Sequence, residues 1–130
     1  MSTRCLIMKK VGEDTFLSNY CHFDGYLKGV GKTLWDNYKD EETVDKLFKH
    51  SGGFSALEET PEKISFYNDV DGWEERAKPE KFVFNDENIK KDVWIEFYYV
   101  FDNGEWWICD ARYGAKLNKL QDELMKINII

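Results

Sequence analysis

The sequence predicts an α+β fold: an antiparallel sheet built from two hairpins, with about three helices packed mainly on one face. Three observations carry this. Asn103-Gly104 interrupts an aromatic-rich run, and Asn-Gly suits a type I′ hairpin turn because both central positions need positive φ. Residues 15–22 alternate side by side as a sheet strand does. Three further segments space their apolar residues at the helical period. Hairpin, helices, hairpin and helix in that order indicate α+β architecture.

The first hairpin pairs residues 4–10 with 15–22 across Val11-Gly12-Glu13-Asp14. In its second strand Phe16, Ser18, Tyr20 and His22 face one way; Leu17, Asn19, Cys21 and Phe23 face the other. A helix over residues 28–38 places Val30, Leu34, Trp35 and Tyr38 on one side. A second helix, residues 41–50, carries Val44, Leu47 and Phe48, with Asp40 as N-cap and Ser51-Gly52-Gly53 as its stop. Residues 55–88 give the weakest pattern, with short strands read at 63–67 and 81–85. The second hairpin pairs residues 93–101 with 106–109 around Asp102-Asn103-Gly104-Glu105. It sets Phe101 opposite Trp106, Val100 opposite Trp107 and Tyr99 opposite Ile108. Both of its faces are apolar, which places it centrally in the sheet. The last helix, residues 115–127, lines up Leu117, Leu120, Leu124 and Ile127.

A chain of 130 residues fits one domain, 1–130. With 42% hydrophobic and 16% aromatic residues, global disorder is excluded. No apolar run approaches the roughly 18 residues of a bilayer span, and the first ten residues do not read as a signal peptide. The reading is therefore a cytoplasmic protein with no membrane partner. Cys5, Cys21 and Cys109 cannot all pair, so reduced, buried thiols are expected. A net charge of −7 argues against direct nucleic-acid binding, which needs a basic face.

Residues 20–34 are the most unusual stretch. They hold Gly25, Gly29 and Gly31, one of the two histidines, and Lys32-Thr33 at a helix start. Free amides at such a start bind anions, so His22, Asp24, Gly29, Gly31, Lys32 and Thr33 form one candidate ligand site. A Walker A loop would need its first glycine at position 26, which is Tyr26, so a nucleoside triphosphatase loop is not read here. Cys21 and His22 point to opposite faces of a strand and do not readily share a metal; no metal site and no cofactor are assigned. A His22–Asp24 pair suits acid–base chemistry, but no catalytic residue is assigned, for want of a nucleophile in a motif.

The run Tyr20-Cys21-His22-Phe23-Asp24-Gly25-Tyr26, followed by Val30-Gly31, resembles a family of small proteins from phages, prophages and their hosts. The family pattern is roughly Y-C-H-W-D-G-Y-x-x-x-V-G-x-x-L after a T-R-x-x-I strand, here Thr3-Arg4-Cys5-Leu6-Ile7, with Phe23 in place of Trp. Residues 95–101 and 105–108 look like its closing hairpin. Residues 67–75 lack the arginines of the family's Y-G-R-D-R-G-E-like stretch, so no role of those arginines is carried over. The resemblance implies a phage accessory protein working in the bacterial cytoplasm, a class whose members often act on host machinery or defence.

Charge is concentrated. Residues 58–75 hold seven acids, Glu58, Glu59, Glu62, Asp69, Asp71, Glu74 and Glu75, against the single base Lys63. With Trp73 they form the candidate contact for a host protein, steered by charge. The aromatics of residues 94–107 have Glu96, Asp102, Glu105 and Asp110 as neighbours, so they read as core more than as a base-stacking platform. The first expectation is thus a non-catalytic phage protein that binds and inhibits a host defence component, with a homodimer possible. The alternative is a small-ligand or nucleotide binder, or a small enzyme, centred on His22, Asp24 and Lys32.

Overall fold

The computed structural model describes residues 2–68 and 75–130. Asp69, Asp71, Trp73 and Glu74 of the acidic candidate site lie outside the described residues.

Both predicted hairpins form. Strand β1 (Cys5–Gly12) pairs antiparallel with β2 (Thr15–Cys21), with a bulge between Lys10 and Gly12. After β2 a π-helical turn, Leu27–Gly31, leads into α1 (Lys32–Asn37) and then α2 (Glu41–Asp45). A two-residue strand β3 (Glu80–Lys81) and a short helix α3 (Asp86–Lys91) follow. Strands β4 (Phe97–Asp102) and β5 (Glu105–Asp110) make the second hairpin, and β6 (Asn118–Lys119) runs into α4 (Leu120–Lys126). The β4–β5 register is the one its turn dictates: Phe101 faces Trp106, Val100 faces Trp107 and Tyr99 faces Ile108. Asn103 at φ 51° and Gly104 at φ 80° have the left-handed backbone that this turn needs.

The sheet is not antiparallel throughout. Its order is β3-β2-β1-β4-β5-β6, and β1 pairs with β4 in parallel, from Cys5 beside Phe97 to Lys9 beside Phe101. The two hairpins therefore dock through strands that run the same way, giving a mixed sheet. Turn chemistry acts within a hairpin and says nothing about how two hairpins align.

The helices are shorter than periodicity suggests. The first predicted helix divides into the π turn and α1. The second ends as α helix at Asp45 and tightens to a 3₁₀ turn, Lys46–Phe48. Asp40 caps α2 as expected, accepting from the Thr43 amide at 2.9 Å. The last helix starts at Leu120, because Asn118 and Lys119 pair with β5. The strand read at 63–67 is a single bridge at Phe66 to Phe54, after a 3₁₀ turn Pro61–Lys63. The strand read at 81–85 shrinks to Glu80–Lys81; Asn85 caps α3, a helix with one buried residue, Ile89.

Two apolar layers enclose the sheet. On one face Ile7, Cys21, Phe97, Tyr99 and Phe101 meet Leu34, Val44, Leu47, Leu120 and Leu124 of the helical layer. On the other, Met8, Phe16, Tyr98, Val100 and Cys109 meet Ile89 and Ile95, with half-buried Phe82 and Phe84 above them. β4 is buried on both sides, as its all-apolar sequence predicts. Both sheet edges are two-residue strands bearing charge, which discourages pairing with another chain. Among the described residues, no helix is long and apolar enough to cross a membrane.

Buried polar groups fasten the layers together. Asn19, only 3% exposed, donates its amide to the carbonyls of Leu47 at 3.0 Å and His50 at 2.7 Å. That ties the end of the α2 region to β2. Asn19→Ala removes both donors from buried carbonyls and is expected to cost roughly 2–4 kcal/mol, read by urea unfolding. A loss below about 0.5 kcal/mol would contradict this anchoring role.

Burial also sets the alkaline limit. Tyr98 is pushed up to about 12 and Cys109 to about 11, each chiefly by burial; burial raises Tyr99 as well. Their unfolded values lie near 10 for phenol and about 8.5 for thiol. Below about pH 8.5 these groups are neutral in both states, and the stability linked to their burial is fully present. Above that, the unfolded chain ionises first. Stability should fall between about pH 9 and 12, by up to ~1.4 kcal/mol per pH unit for each group. A melting temperature flat over that range would show these groups to be accessible.

Candidate functional site

Several residues between β2 and α1 have an assignable role in the chain's path. Cys21 is fully buried opposite Cys5, and its thiol donates to the Phe23 carbonyl at 3.4 Å. The Cys5 thiol hydrogen-bonds Cys21, which lowers Cys21, while burial raises Cys5. Asp24 turns the chain with φ 60°, in the left-handed region that Asp tolerates. Gly25 then passes directly over β1: its amide donates to the Thr3 carbonyl at 2.8 Å, and its carbonyl accepts from the Tyr99 hydroxyl at 2.7 Å. A Cβ on Gly25 would stand 2.8 Å from the Thr3 oxygen, and one on Gly29 would overlap the Asp24 carbonyl. The sequence is glycine-rich here because backbones meet.

The same contacts occupy the groups an anion would need. The Gly29 amide donates to Tyr26 O at 3.0 Å and the Val30 amide to Asp24 O at 2.8 Å. Lys32 is paired with Asp36 one turn on, at 2.6 Å. His22 stands on the opposite face of the strand from Cys21. Its ring nitrogens meet the Tyr20 hydroxyl at 2.7 Å and the Ser2 hydroxyl at 3.2 Å, and its ring is edge-on to Phe23 at 4.6 Å. Ser2 is a partner that spacing does not reveal, because it arrives from the irregular residues before β1. Among the described residues, none of the five best-formed surface clefts, of 270–360 Å³, is lined by His22, Asp24, Gly29, Gly31, Lys32 or Thr33. Among the described residues, no three His, Cys, Asp or Glu side chains converge to hold a metal ion.

The described part of the acidic region is fastened to the rest of the fold. The Tyr38 hydroxyl donates to the Glu58 carbonyl at 2.7 Å, Ile64 is buried, and the Tyr67 amide donates to the Gly53 carbonyl at 3.0 Å. On the far side the Ser51 amide donates to the Glu75 carbonyl at 2.6 Å. Glu59, Glu62 and Glu75 are exposed and Glu58 is half-buried. The Glu62 carboxyl is held below the usual range first by its own backbone amide and then by Lys46, 3.3 Å away. Among the described residues, no lysine or arginine lies within ion-pair distance of Glu58, Glu59 or Glu75. Their field reaches the core: burial first, then Glu62 and Glu58, raise the Tyr38 phenol.

No protein-family model matches the chain, and neither the curated proteins nor the solved structures hold a significant match to it.

The glycine contacts make a graded prediction. Gly29→Ala drives a Cβ into the Asp24 carbonyl, whereas Gly12→Ala meets only Thr15 at 3.5 Å. Gly29→Ala should lose roughly 2–4 kcal/mol and Gly12→Ala less than about 1, measured by urea unfolding. Equal losses would show that Gly29 is not placed by this contact.

Proposed function

We propose that the protein works without catalysis, as a phage-encoded accessory protein that binds a host protein through the acidic face of residues 58–75. The bacterial cytoplasm is its site of action, and a component of anti-phage defence is its target. One observation carries the reading. The densest charge in the chain, seven acids with one base, falls in a segment held at Glu58 by the Tyr38 hydroxyl and at Glu75 by the Ser51 amide, with Glu59, Glu62 and Glu75 exposed. A solubility function needs dispersed charge and no anchoring. A fixed acidic face instead complements a basic groove and speeds encounter with it. The resemblance of residues 20–31 to phage and prophage proteins supports the setting.

The test is capture from bacterial lysate with the tagged protein and with a Glu58→Lys, Glu59→Lys, Glu62→Lys, Glu75→Lys variant. The wild type should retain a basic host protein, and the variant should lose it by about tenfold or more. Retention should also fall as salt rises from about 0.05 to 0.3 M, because exposed charges are screened. A variant that captures the same protein equally well would remove the acidic face from the reading.

A further inference from the structure

A cleft of about 270 Å³ opens beside the β4–β5 turn. Two indoles line it: Trp35 of α1, half-buried, and Trp106 of β5, only 7% exposed. Trp106 is fixed there because its Nε1–H donates to the Tyr38 carbonyl at 2.7 Å. Gly104 borders the opening and has no neighbouring atom where a side chain would project.

The rim is positive within an acidic chain. Lys39 lies over the Trp35 ring at 5.6 Å, and no described carboxylate is within ion-pair distance of it. Lys119 faces Glu105 at 3.9 Å, the long end of the ion-pair range, and both side chains are about half exposed. Two ammonium groups against one carboxylate leave the cleft with a net positive charge, while the chain as a whole carries −7.

We propose that this cleft binds a small molecule with one planar ring system and one anionic group. The ring lies against the half-buried Trp35, where stacking on an indole is favourable, with the small exposed part of Trp106 beside it. The anion lies between Lys39 and Lys119 and displaces the loose Glu105 contact. The volume sets the size class. Ligand sites of drug-sized molecules run about 300–1,000 Å³, so a mononucleotide or an aromatic acid fits and a dinucleotide does not. This site is independent of the acidic face and shares no residue with it.

The experiment is isothermal titration of the full chain with adenosine and guanosine monophosphates, and with indole-3-acetate as a ring-bearing carboxylate without phosphate. Adenosine, indole and inorganic phosphate serve as probes that lack one of the two features. Saturable binding is expected for at least one ring-bearing anion, at least about tenfold tighter than for its matched neutral or ring-free probe. Which anion binds tells a nucleotide phosphate from a carboxylate. Lys39→Glu and Lys119→Glu, both surface changes whose folding is checked by circular dichroism, should each weaken binding by about tenfold. Lys28→Glu, away from the cleft, should leave it unchanged. No saturable binding of any ring-bearing anion up to about 5 mM would overturn the proposal, as would unchanged affinity in both rim variants.

Discussion

The parallel pairing of β1 with β4 is the constraint from which the rest of the structure follows. Antiparallel neighbours close with a turn of a few residues; parallel neighbours need a long crossover. Here β2 carries the chain back, so Cys21 and Phe97 both sit beside Cys5, and the link from β2 to β4 has to pass β1 at that end of the sheet. Among the described residues that link holds the π turn, α1, α2, the edge strand β3 and α3, far more than the passage itself demands. That crossover is long enough to cover one sheet face with helices and part of the other with α3 and its flanking aromatics.

A crossover with short helices has many backbone groups to satisfy, and buried aromatic donors from the rest of the fold meet several of them. The Tyr99 hydroxyl reaches the Gly25 carbonyl, the Trp106 indole reaches the Tyr38 carbonyl, and the Tyr38 hydroxyl reaches the Glu58 carbonyl, each at 2.7 Å. Tyr and Trp suit this work because each combines a large apolar body with one donor at its tip. An unmet carbonyl in these positions would cost about 1–3 kcal/mol. The motif-like segment at 20–31 belongs to the same logic. Gly25 and Gly29 are there because β1 and the Asp24 carbonyl stand where a Cβ would go.

What the sequence made legible is what depends on near neighbours. The Asn103-Gly104 turn fixed a register from two residues, and alternation at Phe16 to Cys21 sorted the two faces of β2. Asp40 read correctly as a cap because its partner, Thr43, is three residues away. The parallel docking was not legible, since nothing local to β1 or β4 encodes it. α3 was missed because it buries a single side chain, Ile89, and so has almost no periodicity to show. The start of α4 was misplaced because pairing of Asn118 and Lys119 with β5 overrides helical spacing at Leu117. The candidate residues fared likewise. His22 could be singled out, but not Ser2 as its partner, and Lys39 and Lys119 are eighty positions apart with no pattern linking them.

Tyr38 connects the two surfaces the structure offers. Its carbonyl holds Trp106, part of the cleft lining, while its hydroxyl holds Glu58, at the head of the acidic segment. The phenol is fully buried, and burial together with Glu62 and Glu58 raises it, so it remains a donor throughout the neutral range. The acidic face and the cleft are therefore held by one residue whose hydrogen bonds do not titrate under physiological conditions. Fixing a surface before contact lowers the entropy lost when a partner binds. On that argument the interior of this small domain is organised to present charge in set positions, and the cluster at Tyr38 is where that organisation begins.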